Sequence, residues 1–145
     1  MEITKILWPT DLSKNAEKAL GGVTSLSKKY NAEIHILYVI EDLGIHEPWY
    51  GVFDDEHVKI IHEWEEKQAV KRLDKICEEY LNECPLYIRH VAVGDPSEQI
   101  LELISSEEID MVVMASRGRR GNFAFGSVTE KVLKNSPVPV VAIPV

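Results

Sequence analysis

Five short apolar runs recur along the chain, each parted from the next by a longer stretch with helical character. They read "ITKILW" (3–8), "EIHILYVI" (33–40), "LYIRHVAV" (86–93), "DMVVMA" (110–115) and "VPVVAIPV" (138–145). This alternation constrains the fold more than any other feature. The order β-α-β-α-β-α-β-α-β requires a parallel sheet covered by helices on both faces, joined by right-handed crossovers. The second run is apolar nearly throughout, as expected of a strand buried on both sides. The third alternates in part, which suits a sheet edge.

The intervening segments carry their own signals. Pro9 is expected to end the first strand, with "PTDLS" supplying turn and cap residues. Ala16, Ala19, Leu20, Val23, Leu26 and Tyr30 then recur at helical spacing, and Asn31 is a stop. Residues 41–56 are punctured by Gly44, Pro48 and Gly51 and read as a loop. Its "PWYGVF" segment, with Trp49, Tyr50 and Phe53, is a lid, a partner-contact patch or a loop packed on its own domain; the last is the plainest reading. From His57 a long helix is expected, with Val58, Ile61, Ala69, Leu73, Ile76 and Tyr80 as its apolar stripe and Pro85 beyond its end. "GDPSEQILELISSEEI" opens on turn residues and continues as a helix, and "SVTEKVLKNS" is a short last helix.

Length and charge set the outer bounds. The chain of 145 residues fits one domain. Its net charge of −8 opposes non-specific binding to nucleic acid or anionic membrane. No apolar run approaches a membrane span, and "MEITKILWPTD" lacks the features of a signal peptide. Cys77 and Cys84 read as reduced thiols, since a zinc site calls for more ligands at tighter spacing. His57, His62 and Glu66 read as a solvated helical face, and His35 and His90 as satisfied structural histidines within strands. No metal ligand set is assigned.

The candidate chemistry lies where strands one and four end. "SRGRRGNFAFGSVTE" places Arg117, Arg119 and Arg120 among glycines and sets Gly126 before Ser127, Val128 and Thr129, which look like a first helical turn. Free N–H groups there, with the helix dipole, favour an anion, and the two hydroxyls could donate as well. The plain alternative is a solvated basic loop with Ser127 as a helix cap. The segment is neither a P-loop nor a GxGxxG fingerprint. Asp11, after Pro9 and Thr10, is either a turn carboxylate or an acceptor for a sugar hydroxyl or base, or a holder of a phosphate-bound metal. No general base stands beside the glycines, which argues for binding over catalysis.

Taken together, "KILWPTDLS", "AEIHILYVIED", "VGDPSEQILELISSEEIDMVVMASRGRRG" and "FGSVTEKVLKNSPVPVVAIP" resemble the universal stress protein family over essentially the whole chain. The resemblance implies a single domain spanning 1–145. Its fold would be α/β and Rossmann-like (adenine nucleotide alpha hydrolase-like), a three-layer sandwich with a five-stranded sheet in the order 3-2-1-4-5. It also implies a cytoplasmic homodimer, built through the last strand between Val138 and Val145. Members that bind ATP, with or without magnesium, are similar to one another in a loop G-x2-G-x9-G-[S/T]. Here those positions fall on Ala115, Gly118, Gly126 and Ser127, followed by Val128 and Thr129. Arg117 lies within the loop. Pro9, Thr10, Asp11, the backbone of Val39, and Met114 match or border the adenine and ribose pocket. Two departures stand out. The first glycine is Ala115, and seven residues rather than nine separate Gly118 from Gly126, shortening the extended reach by about 7 Å. A nucleotide-free member acting through protein contacts, or a slow ATPase, are the alternatives.

Overall fold

In the computed structural model, which describes residues 1–41, 55–80, 87–117 and 126–145, the apolar runs form one parallel sheet. Its strands are β1 (Lys5–Thr10), β2 (Glu33–Ile40), β3 (Tyr87–Val93), β4 (Met111–Ala115) and β5 (Val140–Ile143), in the order β3-β2-β1-β4-β5. The helices are α1 (Lys14–Lys18), α2 (Leu20–Tyr30), α3 (Asp55–Tyr80), α4 (Pro96–Ser106) and α5 (Ser127–Asn135). Strand alternation divides the core in two. Ile6, Trp8, Ile34, Ile36, Val113 and Ala115 pack with Leu20 and Val23 of α2 and Leu73 of α3. Leu7, Leu37, Val112 and Met114 pack with Ile100 and Ile104 of α4 and Val132 of α5. β2 is buried over most of its length, and β3 lies at the edge.

Proline 9 acts differently from the expectation. β1 does not stop before it but runs on through Thr10, paired to β2 as Pro9↔Leu37 and Thr10↔Tyr38. The Thr4 carbonyl accepts from the Glu33 N–H at 2.9 Å and the Lys5 carbonyl from the Asp110 N–H at 3.0 Å. Even-numbered backbone groups of β1 therefore face β2, and odd-numbered ones face β4. Pro9 belongs to the second set and has no N–H to give. Pairing between β1 and β4 is confined to Ile6↔Met111 and Leu7↔Val112. The proline ends one ladder rather than the strand.

At the amino ends the same two strands are clasped. One carboxylate oxygen of Asp110, Oδ2, accepts from the Thr4 N–H (2.9 Å), the Thr4 hydroxyl (2.8 Å) and the Lys5 N–H (2.9 Å). Burial acts to raise the Asp110 pKa, but the Thr4 and Lys5 hydrogen bonds outweigh it and hold the carboxyl below its usual range.

Two helices also depart from expectation. The first is broken at Ala19, whose N–H bonds the Ala16 carbonyl at 3.1 Å, a 3₁₀-type tightening between α1 and α2. Asn31 closes α2 in the left-handed conformation, φ 53°. In α3 the apolar stripe holds only toward the C-terminal half, where Ala69, Leu73, Ile76 and Cys77 are buried. Ile60, Ile61 and Trp64 are exposed. A 26-residue helix is about 39 Å long, whereas a seven-residue strand spans about 23 Å, so its first turns overrun the sheet. Burial pushes the Cys77 thiol up to about 11, against the lowering effect of Arg89, and leaves it an unreactive core group. Cys84 and the "PWYGVF" segment lie outside the described residues.

Leu73→Ala should cost about 3 kcal/mol in urea unfolding, and Trp64→Ala less than about 0.5 kcal/mol. Asp110→Asn should cost about 1 kcal/mol at neutral pH. Because the native pKa of Asp110 is depressed, its contribution is present above the unfolded carboxylate pKa and lost as pH falls through the native one. The gap between wild type and Asp110→Asn should therefore close on acidification through the carboxylate range, and a gap that persists unchanged would refute the clasp.

Candidate functional site

In the order β3-β2-β1-β4-β5, the crossovers move to one side of β1 and then, from β4, to the other. Open α/β sheets take ligands beyond the carboxyl ends of the strands at such a reversal. Here the β1–β4 ladder has already ended below Pro9, so the two strands are unpaired at that end.

The turn leaving β1 is built from its own side chains. The Thr10 hydroxyl accepts from the Leu12 N–H at 3.0 Å, and Asp11 Oδ1 from the Ser13 N–H at 2.8 Å. Ser13 Oγ caps α1 by accepting from the Ala16 N–H at 3.1 Å. Leu12 sits in the left-handed region at φ 64°, uncommon for a branched residue. Its side chain is buried and its carbonyl accepts from Arg72 Nη2 of α3 at 3.3 Å. Sequence reasoning assigned no role to Leu12 or Arg72, since only tertiary contact holds that conformation. The turn also shapes the wall on β2. Glu33, and by alternation Val39, faces its backbone toward β1. The ladder would next send the Leu12 N–H to the Val39 carbonyl, but that N–H is bound to Thr10, and the carbonyl faces the crevice just past the end of β1.

On the other side, Met114 and Ala115 are buried at the end of β4. Past them the Ser116 N–H donates to the Ile143 carbonyl at 2.8 Å, and the Arg117 guanidinium donates to the Val145 carbonyl. Gly118, Arg119, Arg120, Gly121, Phe123 and Phe125 lie outside the described residues. The flanks of that segment are pinned together, because the Gly126 N–H donates to the Ser116 carbonyl at 3.0 Å.

The start of α5 is therefore fixed beside β4. Gly126 is its N-cap, at φ −60° and ψ 154°, with no side-chain cap hydrogen bond. Ser127 is not the cap, contrary to the plain alternative; it is the exposed first residue of the helix. The Thr129 hydroxyl is also assigned differently from the expectation. It is buried and donates to the Ala115 carbonyl at 3.1 Å, so it locks helix to strand and has no second hydrogen for a ligand. The N–H groups of Ser127, Val128 and Thr129 have no partner inside the helix. α1 and α4, by contrast, are capped by the Ser13 and Asp95 side chains.

The structure thus brings Pro9, Thr10, Asp11, Val39, Met114, Ala115, Gly126, Ser127, Val128 and Thr129 to the carboxyl end of the sheet. Val39, Met114 and Val128 share the face covered by α4 and α5, and alternation from Leu7 puts Pro9 there too. Chemically this is an apolar wall, a carboxylate at the mouth, and a helix start without a side-chain cap among the described residues, which favours an anion.

The sequence profile of the Universal stress protein family matches residues 2–144. The chain is 30% identical over 154 aligned positions to universal stress protein MJ0577 of Methanocaldococcus jannaschii, covering 96% of this chain and 93% of the relative. A solved structure of MJ0577 superposes with a TM-score of 0.84 at 28% identity, covering 100% and 98% of the two chains. A universal stress protein family member from Arabidopsis thaliana, solved with AMP bound, shares the fold at a TM-score of 0.67 and 16% identity, covering 97% and 91%. The helix start, the Asp-bearing turn and the sheet order all lie within the span of that match, and the chain belongs to the universal stress protein family.

Proposed function

We propose that this chain binds an adenine nucleotide, ATP or a close relative, in the crevice between β1 and β4. It would act as a cytoplasmic dimeric module in stress response. The observation that carries the reading is the α5 N-terminus: without a side-chain cap among the described residues, pinned to β4 through Thr129, and opening on the end of the sheet where the Pro9 ladder stops. The phosphates would take the N–H groups of Ser127, Val128 and Thr129 and the Ser127 hydroxyl. Adenine would lie along Pro9, Val39 and Met114, with the Val39 carbonyl as acceptor for its amino group. Asp11 would accept from the ribose hydroxyls, and magnesium, if it accompanies ATP, would ride on the phosphates. Thr10 and Ala115 would border the pocket. Gly118 would complete the loop, and Arg117 would reach a phosphate only by leaving the Val145 carbonyl. Support comes also from the AMP-bound Arabidopsis relative.

The alternative is a nucleotide-free dimer. Its motivation is Ala115 in place of the first loop glycine and the shortened loop. Both readings place the dimer contact on β5, the edge strand beside β4. A bare edge strand is a liability that a second copy would cover.

Native mass spectrometry with and without Mg-ATP reads both features. A dimer gaining one ATP per chain supports the first reading; a bare dimer at millimolar ATP supports the second, and a monomer overturns the β5 contact. Gly126→Asp sharpens the test. Its extended backbone suits an N-cap carboxylate, so stability should hold or rise by a few tenths of a kcal/mol. The carboxylate would occupy the anion position, and ATP affinity should fall at least about tenfold, or about 1.4 kcal/mol. Undiminished ATP binding by a well-folded Gly126→Asp protein would rule out the α5 cradle.

A further inference from the structure

We propose that His35, His90 and Glu107 form a binding site for a divalent transition metal of the zinc class, at the end of the sheet opposite the nucleotide crevice. His35 lies on β2 and His90 on edge strand β3, both on the α4 side, since Leu37 pairs with His90 and shares its face with His35. Glu107 closes the C-terminus of α4. One ligand atom from each of the three residues lies within 4.8 Å of the other two. From His35 to Ile40 at the carboxyl end of β2 is about 16 Å, so this cluster is separate from the α5 cradle.

The geometry of the two rings carries the argument. His35 Nδ1 and His90 Nε2 are 2.9 Å apart, while the ring centroids are 5.2 Å apart and the planes 10° from parallel. Those values describe rings meeting edge to edge with the two nitrogens facing each other head-on, the arrangement of an N–H···N hydrogen bond. In the metal-free protein a single proton lies between the two nitrogens. Metal–nitrogen bonds of about 2.0–2.1 Å at a tetrahedral angle set the nitrogens about 3.3 Å apart. Binding therefore needs the nitrogens to part by a few tenths of an ångström and the rings to turn from head-on to that angle, a movement open to His90, which is on an edge strand and only half-buried. The proton then moves to His90 Nδ1, a change of tautomer alone.

The surroundings match a metal site beyond its ligands. His35 is almost wholly buried, and its Nε2 lies 2.7 Å from Glu33 Oε1. The carboxylate accepts the Nε2–H, fixes the ring and leaves Nδ1 as the donor to metal, the carboxylate–histidine arrangement that tunes metal ligands. Burial, and then the neighbouring His35, push the His90 pKa below its ordinary value against the opposite pull of Glu107. Lys5 Nζ bonds the backbone carbonyl of Glu107 at 2.9 Å, not its carboxylate. His90 also lines a cavity of about 410 Å³ between β3 and α4, with Arg89, Gln99, Glu102, Leu103 and Ser106. That cavity gives an entry path as far as His90. Two imidazoles and one carboxylate with an open position suit zinc or its first-row neighbours rather than calcium or magnesium.

The full chain, stripped with a chelator, would be titrated with zinc chloride by calorimetry and with cobalt(II) by visible absorption. One ion per chain is expected, with the intense bands of four-coordinate cobalt. Glu33→Gln should weaken zinc binding about 10–100-fold, and His90→Gln or Glu107→Gln at least as much. A His57→Ala/His62→Ala control on α3 should bind as wild type. His35 is too deeply buried for its replacement to separate binding from folding, whereas His90, Glu33 and Glu107 are partly exposed. Absence of zinc binding, or binding equally tight in folded His90→Gln, would leave a hydrogen-bonded histidine pair and overturn the proposal.

Discussion

The pairing of β1 with β4 is the constraint on which the rest of the structure depends. At the amino ends, Asp110 Oδ2 gathers three donors from Thr4 and Lys5 and ties the strands together. Toward the carboxyl ends, the ladder reaches Leu7↔Val112 and meets Pro9, which faces β4 without an N–H. One junction is thus closed at one end and unpaired at the other by the chemistry of two side chains. Because β1 and β4 are central strands, both halves of the core, around Trp8 and around Leu7, are built against that junction.

Everything that borders the open end is held by hydrogen bonds made elsewhere. The Thr10 hydroxyl takes the Leu12 N–H that would otherwise extend the β2 ladder. Arg72, far along the chain on α3, holds the Leu12 carbonyl and with it a left-handed turn. Thr129 and Gly126 fix the start of α5 to the last residues of β4 and the one after it. A helix start that no side chain of the described residues caps is electrostatically unfinished, and its fixed position turns that into a preference for anions over other ligands. The nucleotide reading rests on this rigidity more than on the three arginines that dominate the sequence there. The one described arginine, Arg117, is bound to the Val145 carbonyl.

The opposite end of the sheet has a different character. There the polar groups are side chains: the buried His35 and the partly exposed Glu33 and His90 lie in line along two adjacent strands. The edge position of β3 matters, because it leaves His90 beside a cavity while His35 is sealed inside. A sheet with an anion-favouring carboxyl end and a nitrogen- and carboxylate-lined amino end has two chemically distinct addresses.

Much of this was legible in the sequence. Five apolar runs between helical stretches determined a covered parallel sheet, since no other arrangement buries strands of that composition. The near-continuous run 33–40 marked an interior strand and the alternating run 86–93 an edge. Gly126 before Ser127, and Asp11 after Pro9, marked the crevice residues because turn and cap chemistry is local. Tertiary structure alone decided the rest. Pro9 was readable as a breaker, but which ladder it breaks depends on which neighbour its backbone faces. Thr129 was readable as a hydroxyl, but not as one already bound to Ala115. The apolar residues of α3 were readable as a stripe, but not as one that overruns the sheet and leaves Ile61 and Trp64 exposed. His35 and His90, 55 residues apart, were readable only as two strand histidines. Local propensity and periodicity are written in consecutive residues, whereas partners drawn from different strands and helices exist only once loop closure and packing have brought them together.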